Sequence, residues 1–212
     1  MSRPRKGTNL DTRGRILRAG VDEFARHGFD ASGVDRIARK ARVNKSLIYY
    51  YFRSKLGLYH AVLHASINGL VEALAPIVDG PATAETKLTR YVDALVGFLE
   101  ANPHLPPLML REMADGGRHL DLPALKRMLE IPPLLFRLVS QGRAEKSFGA
   151  FDPLMLHFLL MGTTLLMASN MPIRRRIRQL GLADPPVDTA TTTAALQSIT
   201  RRVLRKDHSD VA

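Results

Sequence analysis

Apolar residues recur at helical intervals near the start of the chain. At 3.6 residues per turn, one stripe contains five of them: Ile16, Leu17, Val21, Phe24 and Ala25. Asp11 or Thr12 is suited to cap this helix, and His27-Gly28 to end it, because glycine accepts a left-handed conformation. We therefore expect a first helix that follows a loose basic arm over residues 1–10.

Capping residues then open three further helices. Ser32 and Asp35 have the S-x-x-D spacing of a capping box, which predicts a short second helix. Asn44 is placed to cap a third helix of about two turns. Ser54 is placed to cap a fourth helix, from Lys55 to roughly Val78.

The rest of the chain also has helical periodicity. The predicted segments are 83–101, 105–115, 121–147, 152–170 and 188–205. Pro132-Pro133 should divide the third of these, and Asp152-Pro153 is a cap followed by proline at the first helical position. Period-two alternation and hairpin turns are missing from the sequence. We predict an all-α fold that ends in a frayed tail at residues 207–212.

The second and third helices have the spacing of a helix-turn-helix. Ala38 is small enough for two helices to cross closely, and Ala41, Val43 and Ile48 supply apolar inner faces around a short turn. The third helix contains the run SLIYYYFRSK, with four consecutive aromatic rings at residues 49–52. Successive helical residues differ by about 100°, so these rings cannot all face one core. Ile48 and Phe52, at i and i+4, are expected to face inward.

With its flanks, this segment resembles the DNA-binding domain of TetR-family transcriptional regulators. The resemblance covers residues 13–63 and is most specific in Phe24-Ala25-x-x-Gly28, Val34-x-x-Ile37-Ala38 and Ile48-Tyr49-x-Tyr51-Phe52-x-Ser54-Lys55-x-x-Leu58. It implies a homodimeric, ligand-responsive repressor that binds a palindromic operator. The implied domains are a helix-turn-helix domain at 11–54 and a helical ligand-binding and dimerisation domain at 55–206.

The resemblance implies DNA contacts for Lys45, Ser46, Tyr49, Tyr50 and Lys55. The further candidates for DNA contact are Ser32, Arg36, Arg42, Asn44 and Tyr51. Tyr51 is equally compatible with the core, and Ser32 with simple capping. Gly33 and Leu47 stand where many members carry a hydroxyl that touches the DNA backbone. Arg42 stands where glycine is common, and a left-handed conformation there costs about 1 kcal/mol, which makes a relaxed turn the simpler expectation.

The charge distribution agrees with a nucleic-acid partner. Residues 1–60 contain 14 Lys and Arg against 5 Asp and Glu, whereas the other 152 residues contain 17 against 15. A local basic field attracts polyanions through counterion release, although charge alone also fits an anionic membrane surface. With no cysteine, no leader and no apolar run long enough to span a bilayer, we expect a cytoplasmic protein without a membrane partner.

Two further sets of candidate residues, one for ligand binding and one for dimerisation, are assigned to the second domain. The candidate ligand residues are Tyr91, Leu95, Phe98, Met109, Arg111, Glu112, Met113, Phe136, His157 and Met161. For His157 a hydrogen-bonded core histidine is the alternative. The candidate dimer residues are Leu154, Phe158, Gly162, Leu165, Leu166, Ala195 and Ile199. Arg174-Arg175-Arg176 and Arg178 are expected to form a solvated loop.

Two other functions remain open at this stage. One is a metal-independent helical hydrolase that uses His104, Glu112 or His157, although no catalytic motif appears. The other is an architectural DNA-binding protein without an effector. His60 and His64 have the spacing of a metal-binding pair but no evident third ligand, so no metal and no cofactor are predicted.

Overall fold

The computed structural model describes residues 7–182 and 189–204, with side chains from 11–182 and 190–204, and it is helical throughout that part of the chain. Its helices are α1 (Gly7–Ala31), α2 (Val34–Ala41), α3 (Lys45–Phe52), α4 (Lys55–Asp79), α5 (Ala84–Ala101), α6 (Leu105–Ala114), α7 (Leu122–Met128), α8 (Ile131–Ala144), α9 (Pro153–Ser169), α10 (Met171–Gln179) and α11 (Thr189–Val203). The all-α prediction is confirmed. The cations predicted for the arm (Arg3, Arg5 and Lys6) and the tail at 207–212 lie outside the described residues.

The chain divides into two compact units. The first unit contains Met1–Ile67 and Pro107–Leu125, and the second contains Asn68–Pro106 and Lys126–Ala212. This division differs from the predicted boundary at residue 54, because the start of α4 packs on α1. The Tyr59 ring meets the Phe24 ring edge-on with centroids 4.9 Å apart, and Leu58 lies against Gly20.

The first unit has an apolar centre built from short helices. Its fully buried side chains include Ile16, Phe24, Ile37, Ile48 and Leu58. An isolated helix of eight residues, such as α2 or α3, is unstable in water, so these buried side chains hold both helices in place.

Two predictions about α1 and its exit need correction. The helix begins at Gly7 and therefore includes part of the predicted arm. Gly28 interrupts it with φ 72°, as predicted, but one more turn follows to Ala31. Ser32 does not form a capping box, because its hydroxyl donates to the carbonyls of Glu23 (3.2 Å) and Gly28 (2.5 Å). Gly33 is the N-cap residue of α2 and makes no side-chain cap.

The second unit packs α5 against α8, α9 and α11. Buried leucines from these helices form its core: Leu88, Leu95, Leu99, Leu134, Leu135, Leu138, Leu156, Leu160 and Leu196. Lys87 is also buried. Its ammonium donates to the Val78 carbonyl and to Gln141 Oε1, both at 2.7 Å. These two hydrogen bonds offset part of the cost of burying the ammonium.

Helix ends in the second unit follow the proline signals. A break at Leu129-Glu130 separates α7 from α8, and Pro132-Pro133 lies in the first turn of α8, which confirms the predicted division. Asp152 caps α9 through a 2.8 Å hydrogen bond from the Leu154 N–H, as predicted. The four arginines between 174 and 178 lie in helix α10, so the predicted loop is wrong there.

Helix α4 also corrects the expectation that no segment is long enough to cross a bilayer. It has 25 residues, with an apolar window of mean hydropathy 1.5, and meets that criterion by length and composition. Leu58, Val62 and Leu63 are nevertheless fully buried in the first unit, and Leu74 in the second. A core helix of this kind satisfies the same criterion without a membrane.

Substitution by alanine is expected to have opposite effects on the free energy of unfolding at two helical glycines. A Cβ at Gly57 would collide with the Phe52 carbonyl oxygen, which is a backbone atom, whereas a Cβ at Gly97 meets no atom within 4 Å. We expect Gly57→Ala to lower the free energy of unfolding by about 1–3 kcal/mol. Gly97→Ala should raise it by about 0.5–1 kcal/mol, because alanine favours helix. Urea unfolding followed by circular dichroism measures both, and equal responses would contradict the packing at Gly57.

Candidate nucleic-acid interface

Helix α3 has a buried side and an aromatic outer side. Ile48 and Phe52 are buried, as their spacing predicts, while the exposed fractions of Tyr49 and Tyr50 are 43% and 69%. Tyr51 is half-buried, and its ring meets that of Tyr50 edge-on with centroids 5.1 Å apart. Two large rings therefore face solvent on the second helix of the predicted helix-turn-helix.

The turn before α3 is fixed by local hydrogen bonds. Arg42 ends α2 with φ 54° and ψ 50°, so it adopts the costly left-handed conformation and not the relaxed turn that was the simpler expectation. The Val43 N–H donates to the Ala38 carbonyl at 3.0 Å, and Asn44 Oδ1 accepts from the Ser46 N–H at 3.0 Å. The predicted cap at Asn44 is confirmed, and its side chain is exposed beside that of Ser46.

Several cations near α3 are paired with carboxylates. Lys45 Nζ lies 3.0 Å from the Asp35 carboxylate, and this hydrogen bond raises the pKa of Lys45. Arg36 Nε lies 2.5 Å from Glu23 Oε1. Burial would raise the pKa of Glu23, but the hydrogen bonds from Arg36 and the Gly33 N–H outweigh it, so the pKa is lowered. These cations would have to exchange a carboxylate for a phosphate on binding DNA.

The start of α4 holds a further cation. Ser54 Oγ accepts from the Gly57 N–H at 2.9 Å, which confirms the predicted cap. Lys55 Nζ donates to the Asp30 carbonyl at 3.1 Å and lies 4.5 Å from the centre of the Phe29 ring. Lys55 is thus held against the end of α1, at the amino end of a helix whose dipole attracts anions.

The structure does not support the prediction that Ser32 contacts DNA. It is buried and its hydroxyl is engaged by two backbone carbonyls, so it is not placed to meet a phosphate. Two exposed arginines, Arg39 on α2 and Arg53 at the end of α3, also lie near the candidate interface and were not among the predicted DNA-binding residues. In the sequence only their charge marks these two arginines, and charge does not show on which face of a helix a side chain lies.

The ten candidate ligand residues do not fall in one unit. Met109, Arg111, Glu112 and Met113 belong to the first unit, and the others to the second. Arg111 donates to the Arg26 carbonyl at 3.1 Å, and Met113 is exposed. Glu112 is buried and accepts hydrogen bonds from neighbouring residues of its own unit, so it is not placed to orient a ligand.

The candidates in the second unit include two polar atoms without a partner. The Tyr91 hydroxyl and His157 Nδ1 are buried and have no hydrogen-bond partner among the residues that the structure describes. Burial raises the pKa of Tyr91 and lowers that of His157, so both side chains are neutral at pH 7. His157 is therefore not the fully hydrogen-bonded core residue expected as its alternative. Leu95 is buried, Phe98 and Met161 are half-buried and Phe136 is exposed.

The second unit also has a cleft of about 740 Å³ between α5, α11 and the residues after α8. Its lining is mostly polar: Glu85, Thr86, Leu88, Thr89, Ser147, Phe148, Ala194, Gln197, Ser198, Arg201 and Arg202. None of the candidate ligand residues lies in this lining.

The candidate dimer residues form an exposed stripe, with one exception. Leu154, Phe158, Gly162 and Leu166 are four residues apart on α9 and all are exposed, as are Ala195 and Ile199 on α11. A Cβ at Gly162 would meet no atom within 4 Å. Leu165 is the exception, because it is buried in the core of its own unit.

His60 and His64 share a carboxylate. Asp121 Oδ1 lies 2.8 Å from His64 Nε2, and Asp121 Oδ2 lies 3.4 Å from His60 Nδ1. Within the described part of the chain, no three side chains form a group able to hold a metal ion. The pair is part of a hydrogen-bonded cluster.

Two family models match the chain. "Bacterial regulatory proteins, tetR family" matches residues 16–62, and "Tetracyclin repressor-like, C-terminal domain" matches residues 85–199. The chain belongs to the TetR family. The predicted resemblance is confirmed, and the second model extends it well beyond residues 13–63.

Relatives in the family differ in the direction of regulation. The transcriptional repressor SCO4008 of Streptomyces coelicolor is 37% identical over 106 residues, which are 50% of this chain and 52% of the relative. The transcriptional activator FasR of Mycolicibacterium smegmatis is 34% identical over 99 residues, 45% of each chain. The chain thus matches about half the length of these relatives.

Solved structures share the fold over a larger part of the chain. A tetR-family regulatory protein from Rhodococcus RHA1 has a TM-score of 0.76 at 16% identity, covering 92% of this chain and 97% of its own. FadR from Bacillus subtilis, solved with stearoyl-CoA, has a TM-score of 0.67 at 18% identity, covering 91% and 99%.

Two buried tyrosines give a matched test of the hydrogen-bond assignments. Tyr59→Phe removes a donor from the buried carboxylate of Glu112, and we expect the free energy of unfolding to fall by about 1–3 kcal/mol. Tyr91→Phe removes a hydroxyl that has no partner, so it should leave the free energy of unfolding unchanged or raise it. Urea unfolding of both variants measures this. A similar loss in both would contradict the unpaired state of Tyr91.

Proposed function

We propose that this chain is a homodimeric, ligand-responsive transcriptional repressor that binds an inverted-repeat operator and leaves it when a small molecule binds. The observation that carries the proposal is the outward position of Tyr49 and Tyr50 on α3, fixed by the buried Ile48 and Phe52. A soluble protein rarely exposes two adjacent large rings without a partner for them.

The proposed DNA-reading element, called the reader below, consists of α2, α3 and the start of α4 with Lys55. It inserts α3 into a major groove. Tyrosine suits this position because its ring packs on sugar or a thymine methyl while its hydroxyl bonds a phosphate. Lys45, Ser46 and Asn44 open the helix, where side chains of a recognition helix reach base edges. Lys55, Arg36 and Arg42 supply phosphate contacts, which raise affinity without reading sequence.

The proposed dimer uses the exposed stripe of α9 and α11. Leu154, Phe158 and Leu166 present apolar surface on one face, and Gly162 leaves room for a second helix. Two copies of the stripe would form a four-helix bundle. Two readers related by a two-fold axis would then bind half-sites with centres about 34–36 Å apart.

The proposed effector binds in the second unit. Tyr91 and His157 offer a neutral donor and acceptor inside an apolar surrounding, which suits an apolar molecule with a hydrogen-bonding group. An acyl-CoA is a reasonable first compound to test, because FadR from Bacillus subtilis was solved with stearoyl-CoA. Helix α4 contributes residues to both units and is the proposed route of the response.

The same proposal places the protein in the cytoplasm and assigns it no enzymatic activity. An architectural DNA-binding protein remains the second candidate, because SCO4008 and FasR are matched over only about half their length. Selection of bound duplexes from a random library separates the two. Recovery of an inverted repeat supports the repressor, whereas recovery of unrelated sequences supports the architectural protein.

Removal of one exposed ring tests the reader. Tyr49→Ala should abolish preference for the selected duplex over a scrambled one, while the dimer stays intact. The ratio of the two dissociation constants, measured by fluorescence anisotropy at fixed salt, should fall by about 5- to 150-fold, since one base contact is worth about 1–3 kcal/mol. An unchanged ratio would refute the assignment of α3 as the reading helix. Leu122→Ala, at an exposed residue of α7, is the control.

A charge in the stripe tests the dimer. Phe158→Glu places a carboxylate in the proposed seam, where burial without a partner is costly, so the dimer should dissociate at micromolar concentration. Leu129→Glu changes an exposed leucine outside α9 and α11 and should not affect assembly. Sedimentation velocity reports the mass of each. A dimeric Phe158→Glu protein would place the interface elsewhere.

A further inference from the structure

A buried carboxylate joins a late segment of the chain to the reader. Glu112 on α6 is 1% exposed, and its Oε2 accepts a 2.8 Å hydrogen bond from the Tyr59 hydroxyl on α4. Its Oε1 accepts from the His119 backbone N–H at 2.8 Å, and its Oε2 also lies 3.2 Å from His119 Nδ1. A carboxylate with these partners fixes the position of His119.

His119 in turn supports the ring that lies beneath Lys55. The His119 and Phe29 rings have centroids 4.4 Å apart, and Phe29 also meets Tyr59 edge-on at 5.1 Å. The ammonium of Lys55 lies 4.5 Å from the centre of the Phe29 ring, within the range of a cation–π interaction. The contacts therefore run without a gap from Glu112 through His119 and Phe29 to Lys55.

The same segment holds the carbonyl that accepts from Lys55. Arg118 forms an ion pair with the Asp30 carboxylate, and Arg111 donates to the Arg26 carbonyl. Asp30 is the residue whose backbone carbonyl accepts the hydrogen bond from Lys55 Nζ. Residues 111–119 thus act on Lys55 through two groups, the Phe29 ring and the Asp30 carbonyl.

We propose that Glu112 and His119 are positioning residues for DNA binding, because they hold Phe29 and Asp30 where these fix the ammonium of Lys55 against the duplex. The inference rests on the proposed reader and adds residues 111–119 to it. A lysine side chain loses rotamer freedom when it binds a phosphate, and one already held in place loses less. Segment 111–119 therefore raises affinity without touching DNA.

A double-mutant cycle on the full-length chain tests this role. The probe is the duplex recovered by selection, or a random 30-base-pair duplex if no sequence is selected. Lys55→Ala should lower the slope of log affinity against log salt by about one. His119→Ala should weaken binding by roughly threefold or more, within the range of coupling between contacting residues, and should lower the slope in the same direction.

The decisive measurement is His119→Ala in the Lys55→Ala background. We expect no further loss of affinity there, because the group that His119 positions has been removed. Equal losses in both backgrounds would overturn the inference, since His119 would then act without Lys55. If His119→Ala is unfolded at the assay temperature by circular dichroism, Phe29→Leu, which keeps apolar bulk but removes the ring, takes its place in the same cycle.

Two controls separate this inference from the proposed function. Leu122→Ala changes an exposed residue of α7 in the same unit, outside segment 111–119, and should leave affinity and slope unchanged in both backgrounds. If neither Tyr49→Ala nor Lys55→Ala alters DNA binding, the reader assignment itself fails. If both alter it and the His119 effect is additive with Lys55→Ala, only the positioning role fails.

Discussion

The reader depends on the burial of Ile48 and Phe52 against the neighbouring helices of the first unit. Helix α3 has eight residues, too few to be stable in water alone, so its orientation is set by this apolar contact. Once these two side chains point inward, helical geometry directs Tyr49 and Tyr50 away from the core. A loss of packing at Ile48 would therefore remove the aromatic surface even though both tyrosines were still present.

Several of the cations on and near α2 and α3 are paired with carboxylates of the same unit. Residues 1–60 contain an excess of Lys and Arg, yet Arg36, Lys40 and Lys45 each have a carboxylate partner. The Lys45–Asp35 pair is exposed and contributes little net stability, so a duplex with many phosphates can replace it. By contrast, the Glu23 and Asp22 carboxylates that pair with Arg36 and Lys40 are buried. The carboxylates lower the affinity for an isolated anion more than the affinity for a polyanion, which releases counterions.

The features that were predicted correctly from the sequence depend on residues that lie close together along the chain. The helical fold, the caps at Asn44, Ser54 and Asp152, and the break before Pro132-Pro133 are all encoded within a few residues. Ser32 was predicted incorrectly because its hydroxyl acceptor at Glu23 lies nine residues away, beyond the range of a capping pattern. The contact between Tyr59 and Glu112 spans 53 residues, and one sequence contains no signal for it.

The buried polar groups of the two units differ in how completely they are hydrogen-bonded. In the first unit Tyr59, Glu112 and His119 satisfy one another, and such a network favours one rigid arrangement. Of the five buried side-chain atoms without a partner in the described residues, four belong to the second unit: those of Tyr91, His157, Ser169 and Arg174. An unpaired buried hydroxyl costs about 1–3 kcal/mol, and a bound molecule that supplies the missing hydrogen bond recovers it. If the proposed function holds, this imbalance would place the gain from ligand binding in the second unit, while the hydrogen-bonded network of the first unit would keep the proposed DNA-binding surface fixed.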